Sequence, residues 1–465
     1  LVKLQIKKGA KIMTTTTHPK IKGLELSENL PDAEVEALWG NITWLRPKDH
    51  VAKLRHFMSF EFALTRLLAG WVPACPSYDW KTQIPQRLFE DMQHIHRLRE
   101  RLRELPGGTA EISPHPALAK FFAAIGAADS PESFLSAFYF EIKRDLLQAY
   151  QDYCDHCDLI FDAPTIYMLE SVIPEKQRQL DWASNLLQHV KFNPELFVQI
   201  TRWREFVRQC LQMIGGAANT EPVWHEKALP HSPVKTPAGP APEKPKQDPR
   251  FKLLDRFPLN KQEDPFYATL KDIIFQNATE WQVIDPMCYI FYGVRNMPLD
   301  FFIDFSRHIW DECRHALMGL RRLRELGYDI KDFHWPHYGN RLEALEDYFA
   351  ELTMVGEACS FTRKKGSIVP FLRFGDPHSA MLPEIDCVDE RLHVRFGRKW
   401  LPVMFKNSKK DARPLEVLSE TTRLRLAQDW TQFEGLSEEE REKIARSFAG
   451  FCMTIEFALD FTVYG

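Results

Sequence analysis

Apolar residues recur three and four positions apart over most of the chain, with charged residues between them. One stretch with this spacing contains Ile303, Phe305, Ile309, Ala316, Leu320 and Leu323. Residues so spaced lie on one face of an α-helix, whereas the alternation typical of β-strands is nearly absent. The pattern therefore predicts an all-α protein.

The helical pattern stops over residues 215–250, where eight prolines stand among lysines. This composition favours an extended chain without a packed core, and we expect a mobile linker there. The linker would separate a helical domain at residues 23–214 from a second at residues 251–410. Further helices over residues 411–465 would dock on a bundle. Residues 1–22, which start with a basic stretch and no methionine, are expected to be non-native or disordered.

Two short sequence words combine a carboxylate with an imidazole one helical turn away. They read Asp311-Glu312-Cys313-Arg314-His315 and Asp389-Glu390-Arg391-Leu392-His393. Because residues i and i+3 share a helix face, the glutamate and histidine of each word can bind one metal ion together. A single word of this kind usually lies on a solvated face. Two of them, each preceded by aspartate, indicate a site for two metal ions.

Two lone glutamates complete the pattern. Glu280 precedes Glu312 by 32 residues, and Glu357 precedes Glu390 by 33 residues. These separations suit facing positions on antiparallel helices of about 20 residues in a four-helix bundle. Four carboxylates and two imidazoles favour iron or manganese over a metal that prefers thiolates.

Other assignments remain open for these lone glutamates. Glu280 belongs to the apolar-periodic run 266–284, which Pro286 could end or kink. Glu357 belongs to the run 342–361, which is expected to form the third helix. The rival carboxylates on that helix are Glu346 and Glu351.

Residues 264–408, about a third of the chain, resemble the ferritin-like di-iron carboxylate proteins. The Asp-Glu-Cys-Arg-His word is similar to the Asp-Glu-x-Arg-His word of their oxygen-activating branch, which includes ribonucleotide reductase small subunits and bacterial monooxygenases. The stretches 310–319 and 393–400 resemble a ferritin-like family grouped with tRNA-hydroxylating di-iron monooxygenases. The resemblance implies a ferritin-like four-helix bundle over residues 251–410.

The resemblance also implies roles for individual residues. The expected metal ligands, which are also the expected catalytic residues, are Glu280, Glu312, His315, Glu357, Glu390 and His393. A ligating imidazole usually donates its other N–H to a carboxylate or carbonyl, so Asp311, Asp389 and Arg314 are expected to surround the ligands. The implied cofactor is a pair of iron ions, with manganese as an alternative, and O2 is the implied co-substrate.

The N-terminal half looks like a degenerate copy of the same ferritin-like bundle. Glu61 lies on an apolar helix, Asp91-x-x-His94 follows 30 residues later, and Glu141 lies on a third helix. The fourth helix reads Pro174-Glu175-Lys176-Gln177-Arg178, with arginine where the histidine would stand. Because a cation there would repel a metal ion, we expect this half to pack, dimerise or help enclose substrate. A mononuclear site formed by Glu61, Asp91 and His94 is the alternative.

The expected function is that of an O2-dependent non-haem di-iron oxidoreductase, which would hydroxylate, N-oxygenate or otherwise oxidise a small organic substrate. The sequence contains no flavin or nicotinamide fingerprint, so an external donor or reductase would supply the electrons. Two alternatives stay open. The same six ligands would serve a di-manganese or di-iron protein that destroys peroxide or handles metal. A non-catalytic helical scaffold could also retain a vestigial metal site.

Composition adds few constraints. The 465 residues are 44% hydrophobic, enough for two or three domains, and the net charge of −4 argues against a nucleic-acid partner. No apolar run approaches the roughly 18 residues of a membrane span, and no signal peptide is visible, so we expect no membrane association. Nine cysteines, an odd number, suggest reduced thiols in a cytoplasmic protein. The one C-x-x-C word, Cys154 to Cys157, is expected to be structural.

Overall fold

Helices make up nearly all of the regular structure. The computed structural model describes residues 44–107, 115–254, 277–336 and 345–408, and the isolated positions 31, 111–112, 270, 273–274, 437–439 and 441–442. Over these residues the only sheet is one short pairing of two strands, which confirms the all-α prediction. No helix in this part of the chain is long and apolar enough to cross a membrane. The predicted segments 1–22 and 411–465 lie outside the described residues, apart from the C-terminal positions just named.

The N-terminal helices form one packed group. They are α1 Pro47–Trp71, α2 Tyr78–Glu104, α3 Pro116–Gly126, α4 Pro131–Ala137, α5 Arg144–Asp155, α6 Ala163–Leu186 and α7 Pro194–Met213. A π-helical turn, Phe138–Lys143, joins α4 to α5. Proline occupies the first or second position of α1, α3, α4, α6 and α7, where its missing N–H costs no helix hydrogen bond. Helix α2 packs against both α1 and α6, and α5 packs against α6.

The C-terminal helices form a second group. They are α8 Trp281–Gly293, α9 Leu299–Glu325, α10 Leu345–Glu351, α11 Glu357–Arg373 and α12 Pro377–Asn407. A π-helical turn, Leu352–Gly356, joins α10 to α11. Helix α9 packs between α8 and α12, and α11 packs along α12. The side chain of Asp376 accepts a hydrogen bond from the Ser379 backbone N–H and so caps α12.

Short elements complete the fold. Strands β1 Lys252–Leu254 and β2 His334–Pro336 pair in parallel, with Lys252 opposite His334. The 3-10 turns are Val72–Ala74, Gln188–Phe192, Glu226–Ala228, Ala278–Glu280 and Ile330–Asp332.

The two helical groups share an extensive interface. Helix α2 packs along α9 and α1 packs against α8, and the described residues from Arg46 onward form one compact unit. Phe89 of α2 stacks on Trp310 of α9 with ring centroids 4.8 Å apart. Lys81 of α2 forms a buried ion pair with Asp285 of α8 at 2.6 Å. Both apolar and ionic contacts therefore join the halves of the chain.

The proline-rich segment, residues 215–250, has little regular structure and is hydrogen-bonded to the N-terminal helices at several points. The Ala238 N–H donates to the Ala128 carbonyl at 2.8 Å, and the Lys246 N–H donates to the Pro73 carbonyl at 2.8 Å. These carbonyls lie just beyond the ends of α3 and α1. The expected mobile linker is therefore corrected to a strap held by backbone hydrogen bonds.

The first helix of the proposed site also differs from the prediction. The run 266–284 includes the 3-10 turn Ala278–Glu280, and the regular helix α8 begins only after that turn. Pro286 lies inside α8 and does not end it. Glu280 consequently stands at the N-terminal end of α8 and not in the middle of a helix.

Candidate metal centre

The six predicted ligand residues converge in the core of the C-terminal helices. They come from the start of α8, from α9, from the start of α11 and from α12, and are Glu280, Glu312, His315, Glu357, Glu390 and His393. Five are buried, and the side chain of Glu280 is 14% exposed. The rival Glu346 instead contacts the hydroxyl of Ser408, and neither it nor Glu351 belongs to a ligand group among the described residues.

These six residues fall into two groups, and each group gains one further residue. The His308 group consists of His308, Glu312, Glu357 and His393. The His315 group consists of Glu280, His315, Asp386 and Glu390. Within each group, one ligand atom from every residue lies within 4.8 Å of all the others. The two groups touch, because His393 Nδ1 lies 3.2 Å from Glu390 Oε2.

In the His308 group, two imidazoles face two carboxylates. His308 Nε2 lies 3.0 Å from Glu357 Oε1 and 3.2 Å from Glu312 Oε1. His393 Nδ1 lies 3.2 Å from the same Glu312 oxygen. The two imidazole rings stack with centroids 3.7 Å apart. Two nitrogen and two oxygen donors around one point suit a divalent transition metal.

The His315 group contains more carboxylates and also a cation. His315 Nδ1 lies 3.0 Å from Glu280 Oε2 and 3.6 Å from Asp386 Oδ1. The buried Lys364 ammonium, from α11, lies 2.5 Å from Asp386 Oδ1 and 3.4 Å from Glu280 Oε1, and it also contacts Glu390. This group therefore combines one imidazole and three carboxylates with an ammonium already in place.

Some buried ligand atoms in both groups face one another across 3.0–3.2 Å without the geometry of a hydrogen bond, among the described residues. They are Glu280 Oε2, Glu312 Oε1 and His315 Nδ1. A buried polar atom without a partner costs about 1–3 kcal/mol. A metal ion bound between these atoms would accept their lone pairs. The unsatisfied atoms therefore fit a metal site.

The charge of the two groups also fits metal ions. Five carboxylates and one ammonium leave a formal charge of −4 when the imidazoles are neutral. Burying uncompensated charges costs several kcal/mol per ion. Two divalent cations would balance the remaining charge, and carboxylate and imidazole ligands suit iron or manganese.

The same crowding of charge shifts the pKa values of site residues. Burial, together with the neighbouring carboxylates Glu390 and Glu312, raises the pKa of Glu357 well above its usual range. Burial alone would lower the pKa of His393, but contacts with Asp311 and Glu312 outweigh it and raise that pKa. Negative charge is therefore in excess throughout the site, and the site favours bound cations.

Asp311, Asp389 and Arg314, which were predicted to surround the ligands, lie beside the ligand imidazoles. Arg314 Nη1 donates to Asp389 Oδ2 at 2.9 Å and also contacts Asp311. Asp389 Oδ2 in turn lies 3.1 Å from His315 Nε2. Arg307, which the sequence reasoning missed, donates to Asp311 at 2.8 Å. Arginines on the surface side thus hold aspartates that contact the ligand imidazoles.

Sequence reasoning missed three residues of the site itself. His308 and Asp386 stand four residues before Glu312 and Glu390, one helical turn earlier on the same face. Extending each glutamate–histidine word by one turn would have found them. Lys364 gave no such signal, because a lysine on a helix usually faces solvent and its position here depends on how α11 packs against α12.

A buried cluster in the N-terminal helices pairs carboxylates with lysines. Lys176 Nζ lies 2.5 Å from Glu61 Oε1, and Lys143 Nζ forms a short ion pair with Asp91. Gln179 Nε2 donates to Asp91 Oδ1 at 3.1 Å. All five side chains are buried. Two ammonium groups balance two carboxylates, so this cluster is neutral without a metal ion.

Two details predicted for the N-terminal half are corrected by this arrangement. Glu141 faces Arg204, 2.6 Å away, and Lys143 faces the core instead. Arg178 is exposed, and Lys176 with Gln179 takes the inward positions on α6. One cause is the π-helical turn that ends at Lys143, because its extra residue rotates the side chains that follow.

The alternative mononuclear site is not assembled. His94 Nε2 lies 2.7 Å from Glu175 Oε2, and its Nδ1 lies 3.8 Å from Asp91. Among the described residues, Glu61, Asp91 and His94 do not form a ligand group. The lysines take up the carboxylates that such a site would need.

A third group of ligand-type residues consists of His50, Cys157 and Asp162. Asp162 already accepts hydrogen bonds from Tyr153 Oη at 2.8 Å and from Arg101 Nη2 at 2.9 Å. Burial and the nearby Asp162 raise the pKa of Cys157 to about 12. Cys157 is a free thiol. We interpret this group as a hydrogen-bonded cluster at the start of α6.

A family model described as "Protein of unknown function (DUF455)" matches residues 207–451, more than half of the chain. The chain belongs to this family. The family match begins within α7 and includes both ligand groups, whereas the lysine-paired cluster of the N-terminal helices precedes it. Comparison with curated proteins and with solved structures found no match.

Proposed function

We propose that this protein is an O2-dependent non-haem oxidoreductase that uses two iron ions to oxidise a small organic substrate. The observation that carries the proposal is the contact between two buried groups, which together offer eight carboxylate and imidazole ligands from four helical segments. A scaffold without metal would gain nothing from burying five carboxylates around one lysine. Two adjacent divalent ions would make this arrangement electrically neutral.

The proposed architecture is two tandem ferritin-like four-helix bundles, of which the first is degenerate. One π-helical turn ends at Lys143 and another ends immediately before Glu357. In the first half, Lys143 precedes Lys176, the inward residue of the fourth helix, by 33 residues. In the second half, Glu357 precedes Glu390 by the same 33 residues. Single π-helical turns often lie at functional sites. The lysines of the first bundle would then occupy the positions that carry ligands in the second.

A second pair of contacts supports the same duplication. Tyr150 stands seven residues after Lys143, and Lys364 stands seven residues after Glu357. Tyr150 Oη donates to Glu61 of α1, and Lys364 Nζ lies 3.4 Å from Glu280 at the start of α8. If the two halves are aligned in this way, Tyr150 and Lys364 contact carboxylates at matching positions, which supports the proposed duplication.

The protein's own side chains would hold and shape the centre. Iron ions, when bound, supply the electrons that reduce O2. The carboxylates offset the metal charge, and Asp389 fixes the orientation of the His315 ring. Phe305 meets the ring of His308 edge-on at 5.9 Å, and Phe396 lies 6.5 Å from it. These buried rings keep bulk water away from the His308 group, which strengthens electrostatic interactions within it.

The proposal includes an external electron donor, because the sequence has no flavin or nicotinamide fingerprint. The competing peroxide reaction would use the same ligands with manganese or iron. The side chains that hold a metal do not by themselves distinguish these reactions, since function depends on the pocket as well as the ligands. Reactivity with O2 separates the two.

The direct test mixes anaerobic Fe(II)-loaded protein with O2 and follows O2 uptake together with the visible spectrum. We expect faster uptake than with the same concentration of free Fe(II), and its loss in Glu312→Ala. Peroxide breakdown by the Mn(II)-loaded protein, without O2 uptake by the iron form, would favour the peroxide alternative. Absence of both reactions would favour a non-catalytic scaffold.

A further inference from the structure

Lys364 distinguishes the two ligand groups. Its side chain is 2% exposed, and its ammonium lies among three carboxylates of the His315 group: Asp386, Glu390 and Glu280. In the His308 group, the contacts described for the four ligands are to carboxylates and imidazoles. One group therefore contains a fixed cation within its ligand shell, and the other does not.

One of the carboxylates beside this ammonium already has a partner on each oxygen. Asp386 Oδ1 lies 2.5 Å from Lys364 Nζ, and its Oδ2 accepts a hydrogen bond from Asn277 Nδ2 at 2.7 Å. An ion that binds Asp386 must displace at least one of these partners. It must also approach an ammonium that repels it in a medium of low dielectric constant. Among the described residues, no ammonium contacts a ligand of the His308 group directly, and Lys364 acts on Glu357 only at longer range.

The N-terminal helices show what lysines do in such a place. There Lys143 and Lys176 pair with Asp91 and Glu61, and the cluster is neutral. The C-terminal site has one lysine instead of two and keeps a formal charge of −4. A lysine can thus fill a ligand position in this fold, and Lys364 does so in part.

We propose that Lys364 makes the two metal positions unequal, so that the His308 group binds the first divalent ion tightly and the His315 group binds the second ion more weakly. This inference rests on the proposed two-metal site. The fraction of His315 groups that hold an ion then rises with the concentration of free metal. At low metal concentration the centre holds one ion, and at high concentration it holds two.

Titration of the metal-free full-length protein with Mn(II), followed by calorimetry and by electron paramagnetic resonance, tests the inference. We expect two binding steps, with affinities that differ by roughly tenfold or more. At one equivalent, the spectrum should be that of isolated Mn(II). Lys364→Met, which keeps the length of the side chain but removes the charge, should tighten the second step by roughly tenfold and give coupled pairs at low loading. Lys364→Arg should keep the two steps separate.

Single-ligand variants locate the steps without changing Lys364. His308→Ala should remove the tight step and keep the weak one, whereas Glu280→Gln should do the reverse. If Lys364→Met does not fold, as judged by circular dichroism, these two variants still decide the order of binding. Two binding steps of equal affinity in the wild type, or an unchanged second binding step in Lys364→Met, would overturn the inference about Lys364 but would leave the proposed two-metal site standing. A wild-type chain that binds no ion would overturn the proposed function as well.

Discussion

Asp389 Oδ2 lies 3.1 Å from His315 Nε2, although the aspartate belongs to α12 and the histidine to α9. The reverse contact joins Asp311 Oδ2 of α9 to His393 Nε2 of α12 at 3.4 Å. Each glutamate–histidine helix therefore orients the imidazole of the other. This crossed arrangement links the two metal positions, because a change on one helix disturbs a ligand on its neighbour.

Loss of one crossed contact should weaken metal binding while the fold is kept. In Asp389→Ala, the His315 ring loses its orienting carboxylate, and we expect metal affinity to fall roughly 10- to 100-fold. Calorimetric titration with Mn(II) measures this change. Asp329→Ala removes an exposed aspartate of the same half and should leave the affinity unchanged. Equal affinities in wild type and Asp389→Ala would show that the contact has no role in binding.

The two histidines of the sequence words should matter more for bound metal than the histidine of the N-terminal half. His315→Ala and His393→Ala each remove a ligand from one group, and we expect bound iron well below that of the wild type. His94→Ala is the matched control, because His94 pairs with Glu175 in a cluster already neutralised by lysines. Elemental analysis measures the bound metal. Full metal content in all three variants would refute the ligand assignment.

The ion pair between Lys81 and Asp285 should contribute strongly to stability. Both side chains are 1% exposed, and Lys81 also donates to the Lys246 carbonyl at 2.7 Å. Lys81→Met would leave Asp285 buried and unpaired, and we expect the free energy of unfolding to fall by about 3–5 kcal/mol. Denaturant unfolding measures this change.

A double variant and an exposed pair provide the controls for that experiment. Adding Asp285→Leu to Lys81→Met removes the unpaired charge and should recover most of the loss. The exposed pair of Asp79 with Arg250 should contribute at most about 1 kcal/mol, so Asp79→Asn should change stability little. A small effect of Lys81→Met by itself would mean that water reaches Asp285.

His56 should make the fold less stable in acid. Burial lowers the pKa of His56 to about 4, and its Nε2 lies 3.0 Å from the Ala217 carbonyl. Because the folded pKa is below the unfolded value, the unfolded chain takes up the proton first as the pH falls below about 6.5. We expect wild type to lose about 2 kcal/mol more than His56→Gln between about pH 7.5 and pH 5. If denaturant unfolding shows that wild type and His56→Gln lose equal stability over this pH range, His56 is not the group responsible.

Helical periodicity predicted much of this site because its main elements are local. Glu312 with His315, and Glu390 with His393, lie one turn apart, and that relation holds in any regular helix. The all-α class follows from the same periodicity. His308 and Asp386 were within reach of this reasoning, since each continues the same face by one turn.

The remaining features depend on relations between helices, which spacing along one helix does not determine. Lys364 enters the site only because α11 packs against α12 and reaches Glu280 in the turn before α8. In the N-terminal half, the helix phase places Lys176 inward and Arg178 outward. The binding of residues 215–250 as a strap depends on carbonyls at the ends of distant helices. Each of these features arises from tertiary packing and not from the local sequence.

The number of iron ions bound per chain tests the central claim most directly. The full-length protein would be dialysed anaerobically against saturating Fe(II) and its iron measured by elemental analysis, with the visible spectrum then followed on exposure to O2. We expect about two irons per chain, as the eight-ligand site predicts, and an absorbance change that requires O2. A chain that binds neither iron nor manganese under these conditions would contradict the account.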